Sequence, residues 1–136
     1  MTMATPYIER PIKTEPVLNE GDQPYFEAAA EGRLLVKKCR DCGRFHHYPR
    51  GICPHCGSFN LEWTQSGGTG EIYSLTLTRR ADPPFLLAYV SLDEGPAMLT
   101  NIVDCPDLED VRIGQRVSVT FKKTEKGTSM PMFKPV

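Results

Sequence analysis

The sequence predicts a mostly β chain in which a short N-terminal helix leads into a four-cysteine ribbon and a five-stranded C-terminal barrel of the OB type. Three observations predict it. Cys39, Cys42, Cys53 and Cys56 form two Cys-x-x-Cys pairs ten residues apart, each followed by a glycine, Gly43 or Gly57. Ahead of them, Asp22, Pro24 and Gly32 bracket the run Tyr25-Phe-Glu-Ala-Ala-Ala-Glu with an N-cap, a first-turn proline and a C-terminal stop. Behind them, β-branched and aromatic runs alternate with turn residues.

Residues 1–21 mix Pro6, Pro11 and Pro16 with charged residues and show neither periodicity, so they read as an extended arm, either a disordered tail or a segment that packs on a partner. The second unit is residues 22–66. Its helix carries Tyr25, Phe26, Ala29 and Ala30 as a stripe that could cover the ribbon or another subunit, covering its own chain being favoured. Residues 34–38 lead as a strand into the first Cys pair, and residues 61–65 leave the second. The third unit, residues 67–136, begins at the flexible junction Ser66-Gly-Gly-Thr-Gly. Its strands are expected at residues 71–79, 85–92, 97–103 and 115–121, with a short last piece at Met132-Phe133. In Ile72-Tyr-Ser-Leu-Thr-Leu-Thr and Val117-Ser-Val-Thr-Phe the apolar residues read as alternating, giving one buried and one exposed face. Five such strands are too few for two sheets, and a small closed barrel buries one face while removing edges. Residues 106–111 could form one helical turn before the fourth strand.

The cysteine array reads as a metal site. Each Cys-x-x-Cys turn aims two thiolates at one point, and two turns supply the tetrahedral sulfur cage that zinc prefers. Four thiolates leave no open coordination position, so the zinc is expected to be structural, with a disulfide pair, a redox dithiol and rubredoxin-type iron as the alternatives. His46, His47 and His55 lie close in sequence but are expected as surface or packing residues, since four cysteines already complete the site. Cys105 stands outside the array, and with all three histidines in the ribbon it reads as a packed thiol rather than a nucleophile.

Composition narrows the function classes. Among 136 residues, sixteen basic and seventeen acidic side chains give a formal net charge of −1, and no segment carries a dense Lys/Arg run. That argues against strong nucleic-acid binding, whose affinity comes largely from phosphate neutralisation. No apolar stretch approaches the roughly eighteen residues a membrane span needs. Residues 1–20 hold no apolar core of the length a secretory signal needs, so the expected compartment is reducing and cytoplasmic. There is no recognisable Ser/His/Asp arrangement and no Gly-rich phosphate loop.

A set of short motifs in fixed order then resembles a known family. Its carriers are Tyr25-Phe with Gly32 and Leu34, Lys38-Cys-Arg-Asp-Cys-Gly-Arg, Tyr48-Pro-Arg, Cys53-Pro-His-Cys-Gly-Ser, Leu61-Glu-Trp, Ser66 with Gly68 and Gly70, Tyr73-Ser-Leu-Thr, Asp93-Glu-Gly, Ile113-Gly and Pro131-Met-Phe-Lys-Pro. The chain resembles the zinc-ribbon/OB-fold proteins known as the thirty-fifth domain of unknown function. The resemblance implies a rubredoxin-like zinc ribbon between a helix and an OB barrel. It further implies a non-catalytic subunit of a thiolase-fold acyl-CoA enzyme (thiolase, acyltransferase or aldolase) in a hetero-oligomer, helping to enclose the CoA or acyl portion of the substrate. CoA carries phosphates, so candidate contacts are cations: Arg79 and Arg80, Lys122 and Lys123 at predicted strand ends, and Arg50 in Tyr48-Pro-Arg. Their alternative role is as solvated caps or edge charges. Phe85, after Ala81-Asp-Pro-Pro, could insert into a partner or sit inside the barrel.

Two rival readings remain. A zinc ribbon with an OB barrel is also how several single-strand nucleic-acid binders are built, but these alternate aromatics with cations on the exposed face. Here Tyr73, Leu75 and Leu77 share one parity and are expected outward, an aliphatic face suited to a protein interface. A free-standing acyl-CoA carrier would need a pocket deeper than a small five-stranded barrel offers.

Overall fold

The computed structural model describes residues 4–136; residues 1–3 of the expected arm lie outside the described residues. Helix α1 (Gln23–Ala30) has Asp22 at its N-cap position and Pro24 in its first turn. Asp22 does not cap the helix. Its buried carboxylate instead accepts from the backbone N–H of Asn19 at 3.0 Å, shaping the chain that enters the helix. At the other end Gly32 adopts φ 80°, and Gly32 and Arg33 donate their backbone N–H groups to Ala29 and Ala28, the left-handed ending that glycine permits. The buried face is Tyr25, Ala28 and Ala29, while Phe26 is half-buried and Ala30 exposed. The expected stripe combined two adjacent i, i+4 rows, and only the row through Tyr25 and Ala29 turns fully inward.

The ribbon is a three-stranded antiparallel sheet of β1 (Leu35–Cys39), β2 (Phe45–His46) and β3 (Leu61–Gln65), in the order β2-β1-β3. Two residues are too few to show a period, which is why β2 was invisible in the sequence. Leu34 and Val36 are buried, and on the open face the Lys37 ammonium lies 4.7 Å from the Trp63 ring centroid.

The barrel comprises β4 (Thr69–Thr78), β5 (Phe85–Leu92), β6 (Ala97–Ile102), β7 (Arg116–Lys123) and β8 (Ser129–Pro135), closed in the order β4-β5-β6-β8-β7. All neighbours are antiparallel except β6 and β8, which run parallel at Ile102 and Phe133. This is the five-stranded OB arrangement expected. The one helical turn before the fourth barrel strand is a 3-10 turn at Leu108–Asp110, capped by the Asp107 carboxylate. The last strand is a full seven residues because it pairs along β7 from Ser129 to Pro135. Helix α1 packs against both β1 and β8 and so covers its own chain, lying where ribbon and barrel meet.

One expectation about faces is corrected. A bulge between Ile72 and Ser74 shifts the register of β4 against β5. Ile72 faces the core and Tyr73 stays out, 71% exposed, but Leu75 and Leu77 then pack against the core cluster instead of sharing Tyr73's outward face. A parity argument carried through the bulge fails because the extra residue inverts every side chain beyond it.

The arm also has a fate that was not weighed: it lies along its own barrel. Pro6 bridges to Asp107 and Ile12 to Thr124. The Asp107 carboxylate accepts from the Thr5 N–H at 2.9 Å, Glu15 accepts from the Thr128 hydroxyl at 2.7 Å, and the Arg10 guanidinium stands 4.0 Å from the Phe85 ring centroid. Phe85 is thus neither free for a partner nor inside the barrel; its own arm covers it.

The junction of ribbon and barrel leaves no room at Gly70, where a Cβ would stand 2.5 Å from the Ser91 carbonyl oxygen and 2.8 Å from Val90 Cγ1. Backbone on β5 cannot yield as a side-chain tip would. Gly70→Ala is expected to destabilise the barrel by about 2 kcal/mol, read as a lower urea midpoint; an unchanged midpoint would mean that β4 and β5 approach less closely than described.

Candidate metal centre and partner-facing surface

The four cysteines converge from two hairpin turns: Cys39 ends β1, Cys42 follows it, and Cys53 and Cys56 lie in the loop before β3. Their sulfurs all lie within 4.8 Å of one another, with Cys39 to Cys56 at 3.6 Å and Cys42 to Cys53 at 3.7 Å. A zinc ion bonded to four sulfurs at about 2.3 Å requires tetrahedral edges of about 3.8 Å. Disulfides need about 2.05 Å and are excluded in this arrangement. Each turn points amides at sulfur: the Cys42 N–H reaches Cys39 Sγ at 3.5 Å and the His55 N–H reaches Cys53 Sγ at 3.4 Å. The Cys42 amide is the main cause that lowers the Cys39 thiol to about 7. At Cys56 the Ser58 amide pulls the same way but is outweighed by the crowded neighbouring sulfurs and by burial, and its thiol is pushed up. Four thiolates this close need a cation between them, and the donor set fits zinc. A metal so held would cross-link the two turns and supply no reactive position.

No histidine belongs to the sulfur cluster. His55 is exposed, its Nε2 3.4 Å from the Phe45 carbonyl. His47 joins Tyr25 through a 3.0 Å hydrogen bond and stacks on Tyr48, tying α1 to the ribbon. Burial, followed by the neighbouring His46, lowers its pKa to about 4. His46 is buried with neither ring nitrogen in a well-formed hydrogen bond, though the Arg50 backbone is close enough to act on the ring.

The candidate cations separate into engaged and free. Arg79 forms an ion pair with Glu109, its Nη2 donating to Oε2 at 2.9 Å. Lys122 donates to Asp104 at 2.9 Å and lies 2.7 Å from Glu9 of the arm; partial burial alone would lower its pKa, but these carboxylates outweigh that and hold it above its ordinary range. Arg80 and Lys123 are exposed at the ends of β4 and β7. Arg50 lies apart from all four, on the ribbon side of a groove whose other wall is the β5–β6 turn. The structure therefore does not bring these five cations into one site. Cys105 is buried in the core, where desolvation raises its thiol and disfavours the thiolate a nucleophile needs.

The outer face of the barrel carries what the sequence assigned to the wrong residues. Tyr73, Leu87, Tyr89 and Leu99 are all exposed, and Tyr89 is paired directly with Leu99 across β5 and β6. The other outward positions of these two strands are Phe85, which the arm covers, and Ser91, Ala97 and Asn101, none of them charged. An uncharged stripe with two tyrosines lacks the cations a nucleic-acid platform needs and has the composition of a protein interface. The pairing register found what parity alone could not.

Sulfur cage, helix and closed barrel together define a zinc-ribbon/OB-fold protein. Residues 26–62 match the family model for the ChsH2 rubredoxin-like zinc ribbon domain, and residues 63–122 match the ChsH2 C-terminal OB-fold domain. The chain belongs to this ChsH2/DUF35 family. It is 34% identical over 97 residues to a DUF35 domain-containing scaffold protein of Pyrococcus furiosus, covering 67% of this chain and 70% of that one. It is also 32% identical over 130 residues to the probable enoyl-CoA hydratase alpha subunit of Thermomonospora curvata, covering 91% of this chain but only 40% of that protein. Among solved structures it is similar to a chain of the Ltp2-ChsH2(DUF35) aldolase, with a TM-score of 0.78 and 31% identity over 89% of this chain and 98% of that one. No helix of the described residues is long and apolar enough to cross a membrane.

Two predictions test the centre and the helix seat. The purified chain is expected to hold one equivalent of zinc by elemental analysis, and Cys56→Ser to lose it and unfold the ribbon while the barrel strands keep their amide-exchange protection; full zinc content in the variant would refute the four-sulfur cage. His47 is expected to titrate near 4 by NMR. Because its folded value lies below the ordinary 6.5, the stability of its neutral state is complete above that value and is lost as pH falls through about 4, roughly 3 kcal/mol in all. A His47 midpoint near 6.5 would show that the ring is not buried against Tyr25.

Proposed function

We propose that this chain is a non-catalytic, zinc-stabilised subunit of a thiolase-type acyl-CoA enzyme assembly, a thiolase, acyltransferase or aldolase, which it stabilises while helping to enclose the CoA or acyl portion of the substrate. The observation that carries this reading is the uncharged outer stripe of Tyr73, Leu87, Tyr89 and Leu99 on a chain similar to the ChsH2(DUF35) part of an aldolase complex. An exposed apolar surface of this kind is covered in a functional assembly. The similar probable enoyl-CoA hydratase alpha subunit supports the same chemistry of CoA thioesters. Among the described residues the one metal-ligating cluster is closed by four sulfurs, and the one other cysteine is buried. Such a chain contributes to catalysis by positioning and enclosure rather than by acid–base or nucleophilic chemistry.

The experiment is co-purification. The tagged chain, expressed with thiolase-fold enzymes from its own genome, is expected to retain one of them, and that enzyme to lose most of its activity when this chain is omitted. Tyr89→Asp or Leu99→Asp is expected to abolish the association without changing the thermal midpoint, since both side chains are outward. Undiminished co-elution of both variants would remove the stripe from the interface, and a chain that binds no such enzyme would refute the subunit reading.

A further inference from the structure

Between the ribbon and the β5–β6 turn lies a groove of about 650 Å³. Arg44, His46, His47, Arg50 and His55 face it from the ribbon, and residues 94–97 form the opposite wall. Neither the Arg44 nor the Arg50 guanidinium is within ion-pair distance of a carboxylate, although this chain has as many acids as bases to offer. Glu94, the acid on the far wall, is already engaged: its Oε1 accepts from the Ser66 hydroxyl at 2.8 Å and its Oε2 from the Gly67 N–H at 3.0 Å. Lys37, on the central ribbon strand, fixes the backbone beside the groove, its Nζ donating to the Arg50 carbonyl at 3.2 Å.

The floor supplies a second, independent observation. His46 lines the groove while only 4% exposed, and both of its ring nitrogens are without a partner. Buried polar atoms in folded proteins are nearly always hydrogen-bonded, so an imidazole whose two nitrogens lie unbonded just beneath the groove surface marks a place where a small shift of the ring would let a ligand bond. Three of the barrel's basic side chains, by contrast, are engaged: Arg79 with Glu109, Lys122 with Glu9 and Asp104, and Arg116 with Asp93. Two unpaired guanidiniums beside an unpartnered ring are the recognition chemistry of a phosphate group, which forks onto arginine and accepts from a neighbouring N–H.

We propose that the groove between ribbon and barrel binds the phosphates of an adenosine 3′,5′-bisphosphate group, the nucleotide end of CoA, through Arg44 and Arg50 with His46 at its floor. The choice of nucleotide rests on the acyl-CoA reading above; the anion site rests on the groove itself. Arg44 and Arg50 clamp the phosphates, a small shift of the His46 ring brings an N–H to the groove surface to donate to them, and Pro96 and Ala97 offer an apolar wall to the adenosine.

The test uses the purified, metal-loaded chain alone and titrates it with adenosine 3′,5′-bisphosphate at low ionic strength, following amide shifts by NMR and heat by calorimetry. The expected result is saturable binding with shifts confined to residues 43–50 and 94–97. The double variant Arg44→Ala, Arg50→Ala, whose side chains are exposed and leave the core untouched, is expected to bind at least tenfold more weakly. Lys126→Ala on the far hairpin is expected to bind as the parent does. Absence of binding, shifts elsewhere, or a double variant that binds undiminished would overturn the site. Inorganic phosphate binding with equal affinity would overturn the nucleotide assignment, and preference for a single-stranded oligonucleotide would replace it with nucleic acid. Because no partner is present, failure here leaves the subunit reading to its own co-purification test.

Discussion

Closure of the barrel by β8 is the constraint on which the rest of the architecture depends. β8 pairs along all of its residues with β7 and turns parallel to β6 where Ile102 meets Phe133, the largest fully buried side chain. Without it, β6 and β7 would each present an unpaired edge, the hazard that barrel closure removes. The same strand supports α1, whose other contact is β1, so the position of the ribbon against the barrel runs through the last strand of the chain. The junction glycines add to this. Gly68 at φ 75° stands so close to Val119 that a Cβ would meet its Cγ1 at 2.6 Å, which lets the chain leaving the ribbon pass directly against β7.

What was legible in the sequence was local. The four cysteines, their glycines, the helix brackets and the strand runs each declare themselves within a few residues, and so did the ribbon, the helix and the OB barrel. The bulge at Tyr73 was not legible, because it is defined by β4's register against β5 and leaves the local pattern of Tyr73, Leu75 and Leu77 looking regular. The arm was not legible either: Thr5 bonds to Asp107 and Glu15 to Thr128, contacts more than a hundred residues apart that no local pattern encodes. For the candidate site the same limit decided which cations were free. Arg79 and Lys122 look like free charges in the sequence, and only the fold sets Glu109, Glu9 and Asp104 beside them.

These pairings explain why a nearly neutral chain can still have a polarised surface. Asp93 takes both arms of Arg116 at 2.8 Å and the Thr69 hydroxyl at 2.6 Å, and those bonds hold its carboxyl well below the usual range. It therefore acts as a clasp between β4, the β5–β6 turn and β7 rather than as a free charge. With charges of this kind engaged within the barrel, the unpaired positive charge left on the ribbon beside β2 is local, which overall composition could not reveal. A net charge of −1 argues against a long basic surface for nucleic acid but leaves room for a compact anion site.

The apolar stripe and the groove are continuous on the molecule. Ala97 is exposed, lines the groove, and lies two residues before Leu99 on the same outward face of β6; its partner across the ladder is Ser91, two residues beyond Tyr89. A protein seated on Tyr89 and Leu99 would therefore extend over the wall of the groove at Ala97 and roof it. An open groove exposes its arginines to water, where charge attraction is weak, whereas a roofed one lowers the local dielectric and strengthens every contact to a phosphate. Coupling then follows from geometry: a nucleotide in the groove and an enzyme on the stripe share one boundary, and each covers surface that the other leaves exposed. By linkage, whichever binds first raises the affinity for the second. A subunit built this way would tie substrate retention to assembly.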